Sequence, residues 1–363
     1  MKNIILIVAA IVATNTHAQS LATTSRGNKF NPSMSLNALT LFKNSSRDSE
    51  SDGFSLQEVE LQFSADVDAY FRAQATIGIH QEMGEHDHEE GEEEEHEGGF
   101  HVEPEEVFVE TISLPSVTLK AGKFYSNFGK LNSIHTHARP FIYKSEVQEA
   151  VFGHEGLAET GVGVAYLTPL PWFSELDLQT FSPKNEDLFT ESHHSMGYSF
   201  KWKNLWDLSE HLTFELGTSA LRFSDHNHES DIENKTGVYG TDLTFKWRPS
   251  KNAKSRSFMW LTEFLFKERS GDVKDYQSGV TTFMKYQFAT RWYAQAKYEF
   301  LGFKKLEDVR DLNSYAALLA FVPTEFSSIR AQYDTIHDGM DSPERRISLQ
   351  LNISIGAHPA HQY

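Results

Sequence analysis

Apolar and polar residues alternate with a period of two along several long stretches of the chain. The clearest stretches are 58–65, 71–79, 291–300 and 347–355. Because successive side chains of a strand point to opposite faces, this period predicts strands with one apolar and one polar face. Strands of soluble proteins are about 5–6 residues long, whereas transmembrane strands need about 9–11. The longer runs therefore predict an all-β protein, a transmembrane antiparallel β-barrel whose charged inner residues face water.

The pattern predicts about 16 strands, an even number that puts both termini on the periplasmic side. The predicted strands are 33–42, 54–66, 70–80, 102–113, 117–126, 159–168, 174–184, 195–203, 211–223, 235–248, 256–268, 276–288, 291–303, 313–322, 325–335 and 345–356. Short periplasmic turns should then alternate with long extracellular loops. The tightest links, which follow even-numbered strands, are 67–69, 114–116, 289–290 and 323–324. The long links, which follow odd-numbered strands, are 43–53, 81–101, 127–158, 224–234 and 337–344.

The N-terminus has the pattern of a secretory signal peptide. Lys2 is followed by an apolar run over 4–13, and small residues at Thr16 and Ala18 precede the expected cleavage site. The run is too short to cross about 30 Å of hydrocarbon as a helix. We therefore predict a signal peptide over 1–18 and a barrel over 19–363 in the Gram-negative outer membrane. The chain contains no cysteine, which excludes a lipoprotein anchor and a disulfide scaffold.

The formal net charge of −18 argues against nucleic-acid binding, which needs a basic surface. The predicted partners are instead outer-membrane lipid, lipopolysaccharide, the barrel-assembly machinery and further copies of the chain in a homo-oligomer. No G-x-S-x-G or H-E-x-x-H motif occurs, so we do not predict an enzyme.

The predicted outer loop 81–101 is rich in metal-ligand residues. Ten carboxylates lie between positions 82 and 97, interleaved with His86, His88 and His96. The outer loop 224–234 repeats this composition with His226 and His228. Imidazole and carboxylate are ligands of Zn²⁺ and similar divalent cations, so both loops are candidates for metal capture without any required cofactor. The alternative is a solvated acidic surface that repels anions.

The predicted loop 127–158 is the longest and too apolar to extend into solvent, and 145–152 could form a short helix. A loop of this kind that folds inward would constrict the barrel. His135 and His137 fall on one side of an extended segment, where they could bind metal with His154 and Glu155. Alternatively, these histidines form hydrogen bonds with the barrel wall and fix the loop.

Basic residues gather in the same region, and their role depends on where they point. Lys120, Lys123, Lys130 and Arg139 are candidate pore-lining residues. Rings of lysine or arginine favour anions, so if these side chains face the pore they predict a neck of mixed charge below a cation-attracting rim.

Several segments resemble a known family. They are 31–36, 53–61, 119–125, 132–138 with its His-x-His, and 358–361. Together they resemble Gram-negative outer-membrane proteins related to phosphate-selective porins, of which some are labelled zinc-regulated TonB-dependent-type receptors. TonB-dependent transporters have about 22 strands and a plug. Spreading the 363 − 18 = 345 mature residues over 22 strands leaves about 16 for each strand with its loop, and no plug-like segment precedes the first strand, so we expect a plug-free barrel.

These observations together predict an outer-membrane porin-like channel for passive uptake of small solutes, with zinc or another divalent metal captured by the outer loops. Two alternatives stay open: an anion or phosphate-type porin, and a non-conducting surface barrel that binds metal or has a structural role.

Overall fold

The computed structural model describes residues 32–47, 52–81, 99–189, 195–227, 232–271, 274–304, 311–340 and 342–356. Within them, sixteen antiparallel strands form one closed barrel, in which neighbours in sequence pair and the last strand pairs with the first. The strands are β1 (Ser33–Ser45), β2 (Gly53–Asp66), β3 (Phe71–Gln81), β4 (Phe100–Thr111), β5 (Val117–Tyr125), β6 (Ala158–Leu167), β7 (Phe173–Ser182), β8 (Gly197–Ser209), β9 (Leu212–Asn227), β10 (Ile232–Trp247), β11 (Ser257–Ser270), β12 (Asp275–Ala289), β13 (Trp292–Leu301), β14 (Leu312–Thr324), β15 (Ser327–His337) and β16 (Glu344–Gly356). The predicted fold class and strand number are confirmed.

The remaining regular elements of the described residues are one short helix, α1 (Glu146–Phe152), and 3₁₀ turns at Thr136–Ala138 and Ser250–Asn252. No described helix is long and apolar enough to cross a membrane. The described residues contain no separate plug domain. The predicted signal peptide, 1–18, lies outside the described residues.

The two faces of the barrel reverse the usual distribution of polarity. On β16, Ile347 and Leu349 are about half exposed, whereas Ser348 and Gln350 are almost fully buried. The same alternation continues round the sheet from β5 to β11, where the ladders are regular except for a shift between Asp207 and Ser209 at the end of β8. Exposed apolar side chains outside and polar ones inside are expected where the outer face contacts lipid.

A row of stacked aromatic rings crosses the outer face of β8 to β11, close to the short turn between β8 and β9. The ring centroids of Trp206 and Phe214 are 5.6 Å apart, those of Phe214 and Phe245 4.7 Å, and those of Phe245 and Trp260 5.6 Å. Aromatic belts of this kind occupy membrane–water interfaces in transmembrane barrels.

The predicted outer loop 224–234 is shorter than expected. The hairpin of β9 and β10 continues as a paired ladder up to Asn227 and Ile232. His226 therefore belongs to a strand, which corrects its predicted loop position. Sequence alternation missed this extension because polar residues occupy both faces once a hairpin rises beyond lipid.

Candidate functional site

The segment between β5 and β6, residues 126–157, lies inside the barrel. Ser126 Oγ is 3.2 Å from Ser199 Oγ on β8, and Tyr143 Oη is 2.6 Å from Ser348 Oγ on β16. These strands are on opposite sides of the closed barrel, eight strands apart. A single segment that contacts the inner faces of both must cross the lumen. This inserted segment corresponds to the predicted loop 127–158.

Apolar side chains hold the inserted segment against the wall. Val147, Val151 and Phe152 of α1 are fully buried and pack with inner-face residues that include Leu221 and Leu265. Phe141 and Ile142 pack in a second cluster with wall residues that include Leu41 on β1 and Leu318 on β14. Burial of each such side chain contributes about 1.5–3 kcal/mol. The helix begins after Ser145, whose hydroxyl accepts a hydrogen bond from the Gln148 amide, as an N-cap should.

Glu263 on β11 anchors the inserted segment through its carboxylate. One oxygen accepts hydrogen bonds from the backbone amides of Lys130 at 2.6 Å and Leu131 at 3.2 Å. The other accepts from Gln148 Nε2 at 2.8 Å. Gly129 has φ +60°, and a Cβ there would lie 2.3 Å from Glu263 Oε1. The glycine therefore permits the close approach of backbone to carboxylate.

His135 and His137 of the inserted segment meet carboxylates of the wall. His135 Nδ1 lies 3.1 Å from Glu60 Oε2 and 3.0 Å from Glu105 Oε2. Its Nε2 lies 3.0 Å from Glu106 Oε2. His137 Nδ1 is 3.1 Å from the same oxygen of Glu60. The two rings are stacked, with centroids 6.0 Å apart, across a 3₁₀ turn rather than the extended segment that the sequence predicted.

The same group of ligand residues continues along the wall towards the ends of β3 and β4. His80 Nε2 is 3.6 Å from Glu105 Oε1, and its Nδ1 is 3.9 Å from Glu58 Oε2. We call the whole set the imidazole–carboxylate cluster. Its members are Glu58, Glu60, His80, Glu105, Glu106, His135 and His137.

A β-bulge explains how two consecutive glutamates reach one imidazole. The register of β3 and β4 shifts so that Thr76 pairs with Glu106 but Ile77 pairs with Pro104. Glu105 is the extra residue, and its side chain is turned inward together with that of Glu106. Regular alternation would have placed these two side chains on opposite faces, so sequence reasoning did not select them. Glu58 and Glu60 could have been found, since both lie on the polar face of a predicted strand.

The cluster carries a concentration of negative charge. Among described residues, the ion pairs of its four carboxylates involve histidines alone. Burial by itself would lower the pKa of His135. Hydrogen bonds with Glu105, Glu106 and Glu60 outweigh burial and raise that pKa well above its usual range. The site thus favours positive charge at the position of this imidazole.

The other predicted metal ligands do not join the cluster. His86, His88, His96 and His228 lie outside the described residues, and nothing is described of the side chain of His226. His154 has 90% of its side chain exposed and pairs with Glu149, so it does not complete the site with His135. Glu155 is also exposed.

Three of the four predicted pore-lining cations lie inside the barrel. Lys120 is on the inner face, where its Nζ sits 4.1 Å from the Phe108 ring centroid. Lys130 Nζ pairs with Glu215, and Arg139 lies in the inserted segment. Lys123 is different, because it pairs in register with Val107, which is exposed on the outer face. The prediction that Lys123 lines the pore is wrong: residues three apart in a strand face opposite sides.

No protein-family model matches the chain. A curated protein of Aquifex aeolicus (strain VF5), described only as uncharacterized, is 28% identical over 356 residues, which cover 86% of this chain and 71% of that protein.

Solved structures share the fold at low identity. OprB of Pseudomonas putida is 11% identical with a TM-score of 0.59, over 90% of this chain and 94% of that one. The outer-membrane channel DcaP of Acinetobacter baumannii is 11% identical with a TM-score of 0.56, over 90% and 96%. A trimer form of OmpT, an outer-membrane protein of Vibrio cholerae, is 7% identical with a TM-score of 0.57, over 90% and 100%. The fold of this chain is therefore that of porin-like outer-membrane barrels.

Proposed function

We propose that this protein is a porin-like channel of the Gram-negative outer membrane through which small solutes pass without energy input. The observation that carries this proposal is the closed sixteen-strand barrel with an apolar outer face and a polar inner face. Only such a barrel places a polar lumen across a bilayer with all strand edges paired. DcaP, which has a similar fold, is itself described as an outer-membrane channel.

The inserted segment sets the size of solute that passes. It fills one part of the lumen, whereas the inner face towards the short turns carries half-buried charged side chains, among them Lys120, Asp177 and Lys203. We assign these side chains to a water-filled vestibule on the periplasmic side. The inserted segment would then be the constriction.

We further propose that the outer rim of the barrel captures divalent metal ions, on the basis of its sequence. His86, His88 and His96, together with His226 and His228, would raise the local concentration of Zn²⁺ or a similar cation at the entrance. The acidic residues between them would repel anions.

An anion channel is a second candidate, favoured by a small cavity with basic lining residues beside the inserted segment. Arg139, Lys144 and Lys297 all line this cavity. An anion channel also agrees with the resemblance of residues 119–125 to phosphate-selective porins. A third candidate, a closed barrel, is favoured by contacts of the inserted segment on both sides of the lumen.

Planar-bilayer recording of the purified mature protein separates these candidates. We expect stepwise single-channel conductance, and a reversal potential in a KCl gradient whose sign reports cation or anion preference. Repeating the recording with Zn²⁺ on the loop side tests metal capture. Protein unfolded before reconstitution is the control. Folded barrel that gives no conductance above this control would refute the channel.

Assembly is part of the same proposal. Outer-membrane lipid and lipopolysaccharide would surround the apolar outer face after insertion by the barrel-assembly machinery. The trimer form recorded for OmpT makes a homo-oligomer the expected state. Cross-linking in native membranes tests it, and a band at monomer mass alone would contradict it.

A further inference from the structure

We infer that the imidazole–carboxylate cluster binds one divalent cation of the zinc type, with Glu60, Glu105 and His135 as its principal ligands. The inference deepens the proposed function, because the site lies where the inserted segment meets the wall of the lumen. It nevertheless does not require that the barrel conduct. It also differs from metal capture at the rim, because every ligand lies within the barrel.

The ligand atoms of the cluster have the spacing of a metal site. One ligand atom each from Glu60, Glu105 and His135 can be chosen so that all lie within 4.8 Å of one another. Zinc holds oxygen and nitrogen at about 2.0–2.2 Å, so its ligand atoms lie roughly 3.3 Å apart in a tetrahedron. The 3.0 and 3.1 Å separations of His135 Nδ1 from the two carboxylates are already close to that spacing.

The neighbouring ligands provide the rest of a coordination shell. Glu58, Glu60 and His137 form a second group with the same spacing, and Glu58, His80 and Glu105 form a third. The three groups share their glutamates, so we expect them to bind one cation in total rather than one cation each. A fourth ligand for the Glu60–Glu105–His135 group is thus available from the same cluster.

Two glutamates of the cluster also have buried oxygen atoms without a hydrogen-bond partner among the described residues. Glu58 and Glu60 are each 1% exposed. The Oε1 atoms of both residues are buried and have no hydrogen-bond partner within the described part of the chain. A buried, unpaired carboxylate oxygen costs several kcal/mol unless a cation or a donor meets it. A bound divalent cation would satisfy these atoms and offset the excess negative charge.

The donor atoms decide which cation fits. A mixed set of imidazole nitrogen and carboxylate oxygen suits Zn²⁺ and its neighbours in the first transition row, whereas Mg²⁺ and Ca²⁺ prefer oxygen alone. We therefore expect Zn²⁺ to bind in the presence of millimolar Mg²⁺ or Ca²⁺.

A row of further ligands connects the buried site with solvent. His80 Nε2 lies 3.9 Å from Glu103 Oε1, and His101 Nε2 lies 3.8 Å from Glu103 Oε2. His80 is 33% and His101 58% exposed at the side chain, and the two residues pair across β3 and β4. A cation can thus pass from exposed to buried ligands along one wall.

Titration calorimetry with ZnCl₂ on the purified, chelator-treated mature chain tests the site. The five histidines at 86, 88, 96, 226 and 228 are first changed to alanine, which removes the predicted rim imidazole ligands. We expect one Zn²⁺ per chain in this background. His135→Gln and the double change Glu60→Gln with Glu105→Gln should each weaken binding at least tenfold. Co²⁺ should give visible absorption bands that the same changes abolish.

Two matched variants control for general damage. Asp177→Asn alters an inner-face carboxylate whose hydrogen bond is with Gln179 of its own strand, and His154→Ala removes an exposed histidine of the inserted segment. Both should bind Zn²⁺ within twofold of the background. The single variants E60Q and E105Q are measured beside the double variant. If one of these proteins does not fold, the others still test the site.

The outcomes separate this inference from the channel proposal. Absence of Zn²⁺ binding in the background, or binding that E60Q, E105Q and His135→Gln leave unchanged, overturns the site. Conductance of the same preparations is recorded in parallel. A barrel that binds Zn²⁺ at the cluster but does not conduct refutes only the channel. A barrel that conducts but does not bind Zn²⁺ at the cluster refutes only this inference.

Discussion

Gln148 Nε2 donates a 2.8 Å hydrogen bond to Glu263 Oε2, which joins helix α1 of the inserted segment to strand β11 of the wall. The other oxygen of the same carboxylate accepts the amides of Lys130 and Leu131, which come early in the segment. One side chain therefore fixes two parts of the segment that lie about half its length apart. Since the carboxylate is buried, no water competes for these bonds.

We predict that Glu263→Ala loosens the inserted segment. The substitution leaves three N–H donors, one buried and two half-buried, without their acceptor, at a cost of up to about 1–3 kcal/mol each. The urea midpoint of unfolding should fall, and single-channel conductance should rise as the constriction widens. Asp177→Asn changes an inner-face carboxylate whose contact is with Gln179 of its own strand, and it should leave both quantities near wild type. Unchanged conductance in a folded E263A protein would contradict the constriction.

Alternation along the chain was sufficient to predict the barrel and its strand number, because lipid outside and polar groups inside impose the period on each strand. The same rule, applied to single residues, places Lys120 on the inner face and Lys123 on the outer face. The sequence analysis had grouped these two residues because they are close in the chain. Grouping basic residues along the chain ignored that a strand sends them to opposite faces.

The cluster was only half predictable. His135 and His137 stand out as a His-x-His pair in an apolar loop, but their partners come from distant strands. Glu105 and Glu106 depend on a bulge next to Pro104, and no period in the sequence reports a register shift. Long-range pairing of this kind is a property of the closed sheet.

Lys120 and Lys123 provide a matched test of the register. We expect Lys120→Gln to shift the reversal potential in a KCl gradient towards cation selectivity, because it removes a positive charge from the inner face. Lys123→Gln should leave the reversal potential unchanged, since that side chain lies on the outer face and donates to the Pro104 carbonyl at 2.9 Å. Equal shifts from both variants would contradict the observed register of β5.

Val164 and Ala165 are consecutive residues of β6 that test which face contacts lipid. Val164 is 40% exposed on the outer face, whereas Ala165 lies inside and pairs with Asp177. Val164→Arg should destabilise the bilayer-inserted barrel by up to about 2–4 kcal/mol, according to its depth. Ala165→Arg should cost far less, because its charge meets water and a carboxylate. Urea unfolding in lipid vesicles measures both, and the reverse order would show that the faces are assigned wrongly.

Gly78 lies beside the imidazole–carboxylate cluster without contributing a ligand. A Cβ at this position would lie 2.7 Å from His80 Nε2 and 2.8 Å from Glu105 Oε1, so both side chains would have to move. We expect Gly78→Ala to weaken Zn²⁺ binding several-fold with all ligands present. Gly163→Ala is the control, since its new Cβ would meet nothing nearer than 3.3 Å. Wild-type affinity in G78A would argue that His80 and Glu105 do not shape the site.

Glu146, in the first turn of α1, makes stability depend on pH. Burial, then the nearby charge of Glu299, raises its pKa to about 7, although Lys297 and Arg346 act in the opposite direction. The folded protein therefore binds this proton more tightly than the unfolded chain, and stability falls as pH rises from about 4.5 to 7. We expect Glu146→Gln to exceed wild type in unfolding free energy at pH 8, by on the order of 1–3 kcal/mol, and to match it at pH 4. The exposed Glu155→Gln should show no such difference. Urea titrations at both pH values measure the effect, and equal gains at pH 4 and pH 8 would mean that packing rather than ionisation limits the helix.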